Sequence, residues 1–287
     1  MEAISIQNLK KTYDKFQLKD ISFSVPYGSI VGFIGENGAG KSTTIKALLN
    51  IIRRDSGNIS ILGMDIDKEE KKIKEQIGVV LDECNFHDNL KVETIPKFMK
   101  NIYKHWENEI FYHYLEKFKL PADKKVKEYS RGMKMKLSIA AALAHKPKLL
   151  VLDEATSGLD PIVREEILDI FMDFIQDEEH SILMSSHITS DLDKVADYIA
   201  FIQNGEMIFV KEKDYLLEHY GIARCTKEEW NRLQKDQVLQ YREGKFNIET
   251  LVKDKEKFLN KNRGIVVDNV TLEEIMVFYI KGNIYRE

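Results

Sequence analysis

The chain has 287 residues, 43% of them hydrophobic and 31% charged, with a formal net charge of -4. That length and balance exclude a disordered or fibrous chain and leave room for a core domain plus a small appendage. A net negative chain is also a poor general binder of polyphosphate backbones, which leaves at most a local basic groove, so no nucleic-acid partner is expected. Cys84 and Cys225 lie far apart and form no metal-ligand pattern, which fits reduced thiols in a cytoplasmic compartment. The first residues, MEAISIQNLKKTY, lack the apolar stretch of a signal peptide. Nowhere do about 18 apolar residues run together, so any membrane span is expected on another chain.

In chain order, residues 3–6 and 21–25 alternate in polarity as half-exposed strands, and residues 30–34 read as a buried strand running into glycines. Residues 42–52 place Ile45, Leu48, Leu49 and Ile52 on one helical face. Further strands are predicted at residues 59–62, 77–81, 149–152, 181–185 and 198–203, mostly separated by helices, which indicates an α/β layer with a mainly parallel sheet. Between them, residues 84–145 are helical and aromatic-rich (Phe98, Ile102, Trp106; Phe111, Tyr114, Leu115, Phe118) and read as an inserted helical subdomain.

After Gly205 a hairpin is expected through residues 207–210, then a small α+β C-terminal appendage over residues 213–287, with a strand near 264–268 and a closing helix at 272–281. Its Lys/Glu-rich helices, residues 227–235 and 253–262, read as solvated faces that Trp230 and Leu233 anchor to the core. The expected layout is therefore residues 1–212 as one domain, opened by an antiparallel β subdomain, followed by the appendage.

The strongest chemical signal is Gly35-Glu36-Asn37-Gly38-Ala39-Gly40-Lys41-Ser42-Thr43, which fits G-x-x-x-x-G-K-[ST] between a predicted strand and a predicted helix. Its glycines let amides curl around phosphates, Lys41 reaches the β- and γ-phosphates, and Ser42 ligates magnesium. Residues 149–154 form an apolar strand delivering Asp153 and Glu154 to its C-terminal end, where ligands of parallel sheets bind. An apolar strand ending in acids is common by itself; beside a phosphate loop, Asp153 would hold magnesium and Glu154 would act as general base.

Together these residues resemble the ATP-binding cassette (ABC) ATPases over roughly the first 210 residues, with a P-loop NTPase core, and further segments follow in that family's order. Ser130-Arg131-Gly132-Met133-Lys134 is similar to the signature motif, and the resemblance implies that Ser130 and the Gly132 amide face ATP held by an opposite cassette; Arg131 and Met133 depart from the usual residues. Ser157-Gly158-Leu159-Asp160 resembles the D-loop, and Ser185-Ser186-His187 the switch-histidine segment, whose His187 would meet the γ-phosphate and the attacking water. Tyr13 falls where the family stacks an aromatic on adenine, with a plain strand aromatic as the lesser alternative. Asp82 stands where the family has a glutamine, leaving it a magnesium-side contact.

The implied activity is hydrolysis of ATP with Mg2+, by a nucleotide-sandwiched homodimer or heterodimer of cassettes on a separate membrane-spanning permease at the inner face of the membrane. The signature region looks most like single-cassette bacterial exporters of the bacitracin-resistance and phenol-soluble modulin exporter type, which move peptides, antibiotics or toxins. A soluble ABC ATPase acting on ribosomes or DNA is the alternative; a single cassette with compactly spaced motifs argues against it.

Overall fold

The computed structural model describes residues 2–284. It divides into two compact units, the first ending at Val210 and the second beginning at Lys211.

The first unit opens with β1 (Glu2–Tyr13) and β2 (Phe16–Pro26), a long antiparallel hairpin in which Tyr13 faces Phe16 across the tight turn. Then come β3 (Ile30–Ile34), α1 (Lys41–Leu48), β4 (Ser56–Ile61), β5 (Met64–Asp65), α2 (Ile66–Lys74) and β6 (Ile77–Val80). The inserted segment contributes α3 (Ile95–Ile102), α4 (Asn108–Lys117) and α5 (Arg131–Leu143), joined by loops and short 3-10 turns. The chain returns through β7 (Leu149–Asp153), α6 (Pro161–Phe174), β8 (Ser181–Ser186), α7 (Thr189–Val195), β9 (Tyr198–Gln203) and β10 (Glu206–Glu212).

Two sheets result, one antiparallel in the order β2-β1-β4-β5 and one in the order β10-β9-β3-β8-β7-β6. In the second, β9, β3, β8, β7 and β6 are parallel to one another, which aligns the C-terminal ends of the inner strands on one edge. β3 and β7 are buried at every position, as a parallel sheet covered on both faces requires. A single apolar core joins the sheets: Ile4, Ile6 and Phe23 from the hairpin meet Phe33, Ile45, Leu48 and Val151, and the Phe23 and Phe33 rings stack at 5.2 Å.

Some elements depart from the sequence expectation. The first strands are much longer than the apolar alternation indicated, because β1 carries exposed Gln7 and Asn8 and half-buried Lys10 and Lys11 without breaking its pairing with β2 and β4. Helix α1 stops at Leu48 rather than running to residue 52: Asn50 adopts the left-handed conformation with φ 56°, and the Ile51 and Ile52 amides turn back to the Lys46 carbonyl. In the helical insertion, Phe98 and Ile102 are exposed rather than core-forming, while Trp106 and Phe111 are buried and tilt together at 5.4 Å.

The second unit contains α8 (Lys213–His219), β11 (Gly221–Thr226), α9 (Lys227–Arg232), β12 (Val238–Glu243), β13 (Asn247–Val252), α10 (Lys255–Lys261), β14 (Val266–Asn269), α11 (Leu272–Lys281) and β15 (Asn283–Ile284). Its strands form an antiparallel sheet in the order β14-β11-β13-β12-β15. Only β14 was visible in the sequence. Its own small core is Ala223, Val252 and Phe258, and Trp230 packs on Tyr241 of β12 at 5.1 Å, within the same unit.

Candidate functional site

The loop after β3 reaches α1 through Gly40, whose φ of 118° only glycine adopts without strain. A Cβ there would also lie 2.7 Å from Leu18 Cδ2 and 3.0 Å from Phe16 Cζ, so the β1–β2 hairpin packs directly on the loop. On the far side the Gly205 amide, in the turn between β9 and β10, donates to the Ala39 carbonyl at 2.9 Å, while the Gly205 carbonyl accepts from Lys19 at 2.7 Å. The loop is thus fixed from both flanks. No side chain caps α1 and its first turn carries no acid, so its leading amides are open to an anionic ligand. At Gly38 nothing lies within 4 Å of where a Cβ would sit. These features make a phosphate-sized cradle.

Lys41 is only 5% exposed, and its ammonium donates to the Gly35 carbonyl at 2.8 Å and meets Glu154 Oε1 at 3.3 Å. The other carboxylate oxygen, Glu154 Oε2, lies 2.6 Å from His187 Nδ1. Lys41, Glu154 and His187, brought from α1, the end of β7 and the end of β8, therefore form one continuous polar chain. Glu154 stands at φ 54°, a left-handed conformation unusual for a non-glycine residue that costs on the order of 1 kcal/mol. It is held there by its own amide, which donates to Ser185 Oγ at 3.0 Å and to the Ser185 carbonyl at 3.2 Å.

Ser185 also donates from Oγ to Asp153 Oδ1 at 2.6 Å, and Ser42 Oγ donates to the same oxygen at 3.2 Å. This contact follows from sheet register, since Asp153 and Ser185 are paired across β7 and β8. Asp153 is buried at 1% exposure, and its carboxylate beside the Ser42 hydroxyl is a hard oxygen donor set of the kind a magnesium ion takes. The residues present fit that ion.

A cavity of about 570 Å³ lies over these groups. Asn37, Gly38, Gly40, Lys41, Ser42, Thr43, Asp82, Glu154 and His187 line it, as do Phe16, Arg131 and Ser157. Gly35 and Ala39 act from behind it through their backbone carbonyls, and Asp153 through its contacts with Ser42 and Ser185. Tyr13 is 46% exposed and is not part of the lining; its hairpin partner Phe16 is. Ser130 and Gly132 also lie outside it, at the start of α5, where Ser130 Oγ accepts from the Met133 amide at 3.3 Å as the N-cap. Asp82, in the exposed loop after β6, lines this cavity and a neighbouring one of about 650 Å³, which Cys84, Asp88 and Lys134 also line.

Sequence reasoning missed Phe16 and the double role of Ser185. The hairpin turn between Tyr13 and Phe16 signalled the first; nothing local in sequence signalled the second.

The ABC transporter family model matches residues 18–157. The lantibiotic transport ATP-binding protein SrtF of Streptococcus pyogenes is 38% identical over 74% of this chain and 91% of its own. The bacitracin transport ATP-binding protein BcrA of Bacillus licheniformis is 37% identical over 71% of this chain and 68% of its own. Among solved structures, cbiO1 from Clostridium perfringens, described as part of the ABC transporter complex cbiONQ, superimposes with a TM-score of 0.63 at 26% identity, over 74% of this chain and 88% of that one. Fold, phosphate cradle and relatives agree: the chain belongs to the ATP-binding proteins of ABC transporters, and it is an ATPase of that family.

Proposed function

We propose that this chain powers an export system, hydrolysing ATP in a dimer of cassettes that sandwiches nucleotide and drives a separate membrane-spanning permease at the inner face of the cell membrane. The cargo class is a peptide, antibiotic or toxin, a reading supported by the lantibiotic and bacitracin transport proteins among its relatives. Among the described residues no helix is long and apolar enough to cross a membrane.

The observation that carries the catalytic reading is Glu154 suspended between Lys41 and His187. Nucleotide phosphates draw Lys41 toward them, Glu154 takes the proton of the attacking water, and His187 orients Glu154 and meets the terminal phosphate. Asn37, Gly38, Gly40 and Thr43 present loop and helix amides to the phosphate chain, with Gly35 and Ala39 fixing the loop's path. Magnesium held by Ser42 and Asp153, with Asp82 nearby, would neutralise charge on the β- and γ-phosphates. The adenine rests on the hairpin aromatics, Tyr13 or Phe16.

Ser130 and Gly132 complete the site of the opposite cassette: Ser130 as N-cap and Gly132 in the first turn of α5 sit outside their own chain's cavity, where a helix start offers donors to a phosphate. For the permease we assign the groove of about 620 Å³ between α1, α2, β6 and α3, lined by Leu49, Ile51, Ile77, Val79, Ile102 and Tyr103 together with the charged Glu70, Lys71, Lys74 and Glu75 of α2 and its end. Ile51 and Ile102 are more than half exposed there, at 54% and 61%, which suits an apolar helix end of a membrane protein.

Steady-state ATP hydrolysis measured against chain concentration tests the reading, with Glu154→Gln beside the wild type. Specific activity should rise with concentration, and the variant should lose about 100-fold or more while forming an ATP-dependent dimer. A wild type that stays monomeric and inactive at every concentration defeats self-pairing and requires another cassette or the permease to complete the site.

A further inference from the structure

Arg131 sits between the two residues assigned to the opposite cassette, yet its side chain turns back into its own chain. It is the first residue of α5 and lines the same cavity as Gly38, Lys41, Ser42 and Glu154. Its guanidinium lies against Gly158: a Cβ on that glycine would stand 2.6 Å from Arg131 Nη1 and 2.8 Å from Cζ. Gly158 has a φ of 67°, so the bare α carbon serves both the turn of its loop and the close approach of the arginine.

The cavity's charges are unevenly employed. Lys41 is already engaged by Glu154 and the Gly35 carbonyl, and His187 by Glu154. The Arg131 guanidinium has no hydrogen bond or ion pair among the described residues, although Glu36, Asp82 and Glu154 line the same space. A guanidinium packed on backbone with its donors unused is a preformed receptor for a phosphate oxygen, because its planar fork binds such oxygens in pairs. It stands beside Ser157 and Gly158, and the Ser157 amide donates to the Glu154 carbonyl at 3.0 Å, whereas Phe16 packs against Gly40. That places it toward the reacting end of a bound nucleotide, away from the base.

We infer that Arg131 contacts the terminal phosphate of ATP held by its own chain, and so distinguishes ATP from ADP before any dimer forms. The inference rests on the phosphate-loop reading above and adds to it a contact made within one chain.

The test uses the full chain carrying Glu154→Gln, fixed to a sensor surface so sparsely that copies cannot pair, and titrated separately with ATP and ADP in the presence of magnesium. Adding Arg131→Ala should weaken ATP about tenfold or more and leave ADP unchanged, the loss of a charge-assisted hydrogen bond. Arg131→Lys should recover part of it, and Gly158→Ala, which displaces the guanidinium, should resemble Arg131→Ala. Equal losses for both nucleotides overturn the inference, as does an unchanged ATP affinity on the sparse surface with a defect only in ATP-driven dimerisation. Lys41→Ala is the separate control: if it binds both nucleotides like its parent, the phosphate-loop reading itself fails.

Discussion

Ser185→Ala removes one hydroxyl that holds both acidic residues of the site. In the wild type Ser185 Oγ donates to the buried Asp153 carboxylate at 2.6 Å and accepts from the Glu154 amide at 3.0 Å. A hydrogen bond to a buried charged group contributes about 1.5 to 3 kcal/mol, a neutral one about 1 kcal/mol. The Glu154 amide keeps a second acceptor in the Ser185 carbonyl at 3.2 Å, so the second loss is partial. The expected cost is about 2 to 3 kcal/mol in the urea-induced unfolding of the first unit. The effect on turnover should be larger than on binding, because Lys41 and the loop amides remain, while Glu154 loses one of the two bonds that keep it at φ 54°. We expect kcat to fall on the order of tenfold or more with ATP affinity changed by less than about threefold. Urea titrations, ATP hydrolysis and nucleotide binding on the same preparation measure all three. Wild-type stability together with wild-type kcat would refute the assignment of Ser185 as the residue that positions both acids.

Two further outcomes are expected. His145 is 2% exposed, its Nε2 donates to the Ile77 carbonyl at 3.0 Å and its ring stacks on Tyr103 at 4.0 Å; burial pushes its pKa below the usual 6.5, opposed in part by the Ile77 and Ala141 carbonyls. The unfolded chain therefore binds more protons in the window just below 6.5, so the histidine's contribution is complete above that value and is lost as pH falls through the folded pKa. Urea midpoints between about pH 5 and 8 should decline on the acid side, and His145→Phe should flatten that slope; an unaltered slope assigns it to other groups. For the hairpin aromatics, Phe16→Ala should weaken ATP about tenfold through lost stacking while sparing inorganic tripolyphosphate, and Tyr13→Ala should do less. The reverse order would return adenine recognition to Tyr13.

The phosphate loop, Asp153 and Glu154 were legible because each is a local pattern at the end of an apolar strand, His187 only through its place in the family's motif order, and the parallel layer that assembles them follows from strand and helix alternation. Ser185 was legible only as a member of a motif. Its bonds to Asp153 and Glu154 depend on β7 and β8 lying side by side in a register that pairs Asp153 with Ser185, which no local window records. The second unit hid its strands for another reason. Arg224 in β11, Arg242 in β12 and Glu249 in β13 break the apolar alternation, but they form an ion-pair ladder across the sheet, Arg224 to Glu249 at 3.2 Å and Arg242 to Glu249 at 3.9 Å. Charges that read as solvated helix or loop in one dimension become cross-strand partners in two. The early end of α1 was missed because Ile51 and Ile52 continue its apolar pattern, and periodicity cannot register that Asn50 has left the helix.

The pairing of Lys41 with Glu154 also bears on how hydrolysis is restrained until substrate arrives. The pair is largely buried, with side-chain exposures of 5% and 14%, so either partner left alone would carry a heavy desolvation penalty. A triphosphate entering the cradle supplies Lys41 with a replacement anion. Glu154 then keeps only His187 and its strained backbone setting, and its released oxygen faces the cavity where an attacking water must stand. On the proposed mechanism, the ion pair keeps the base occupied, and the ligand that frees it is the substrate. It follows that Lys41→Ala should do more than weaken nucleotide binding. It should leave Glu154 a partly buried carboxylate without its cation and lower the urea midpoint measured without nucleotide. A Lys41→Ala chain that unfolds without nucleotide at the wild-type urea midpoint would show that the pair does not hold the base.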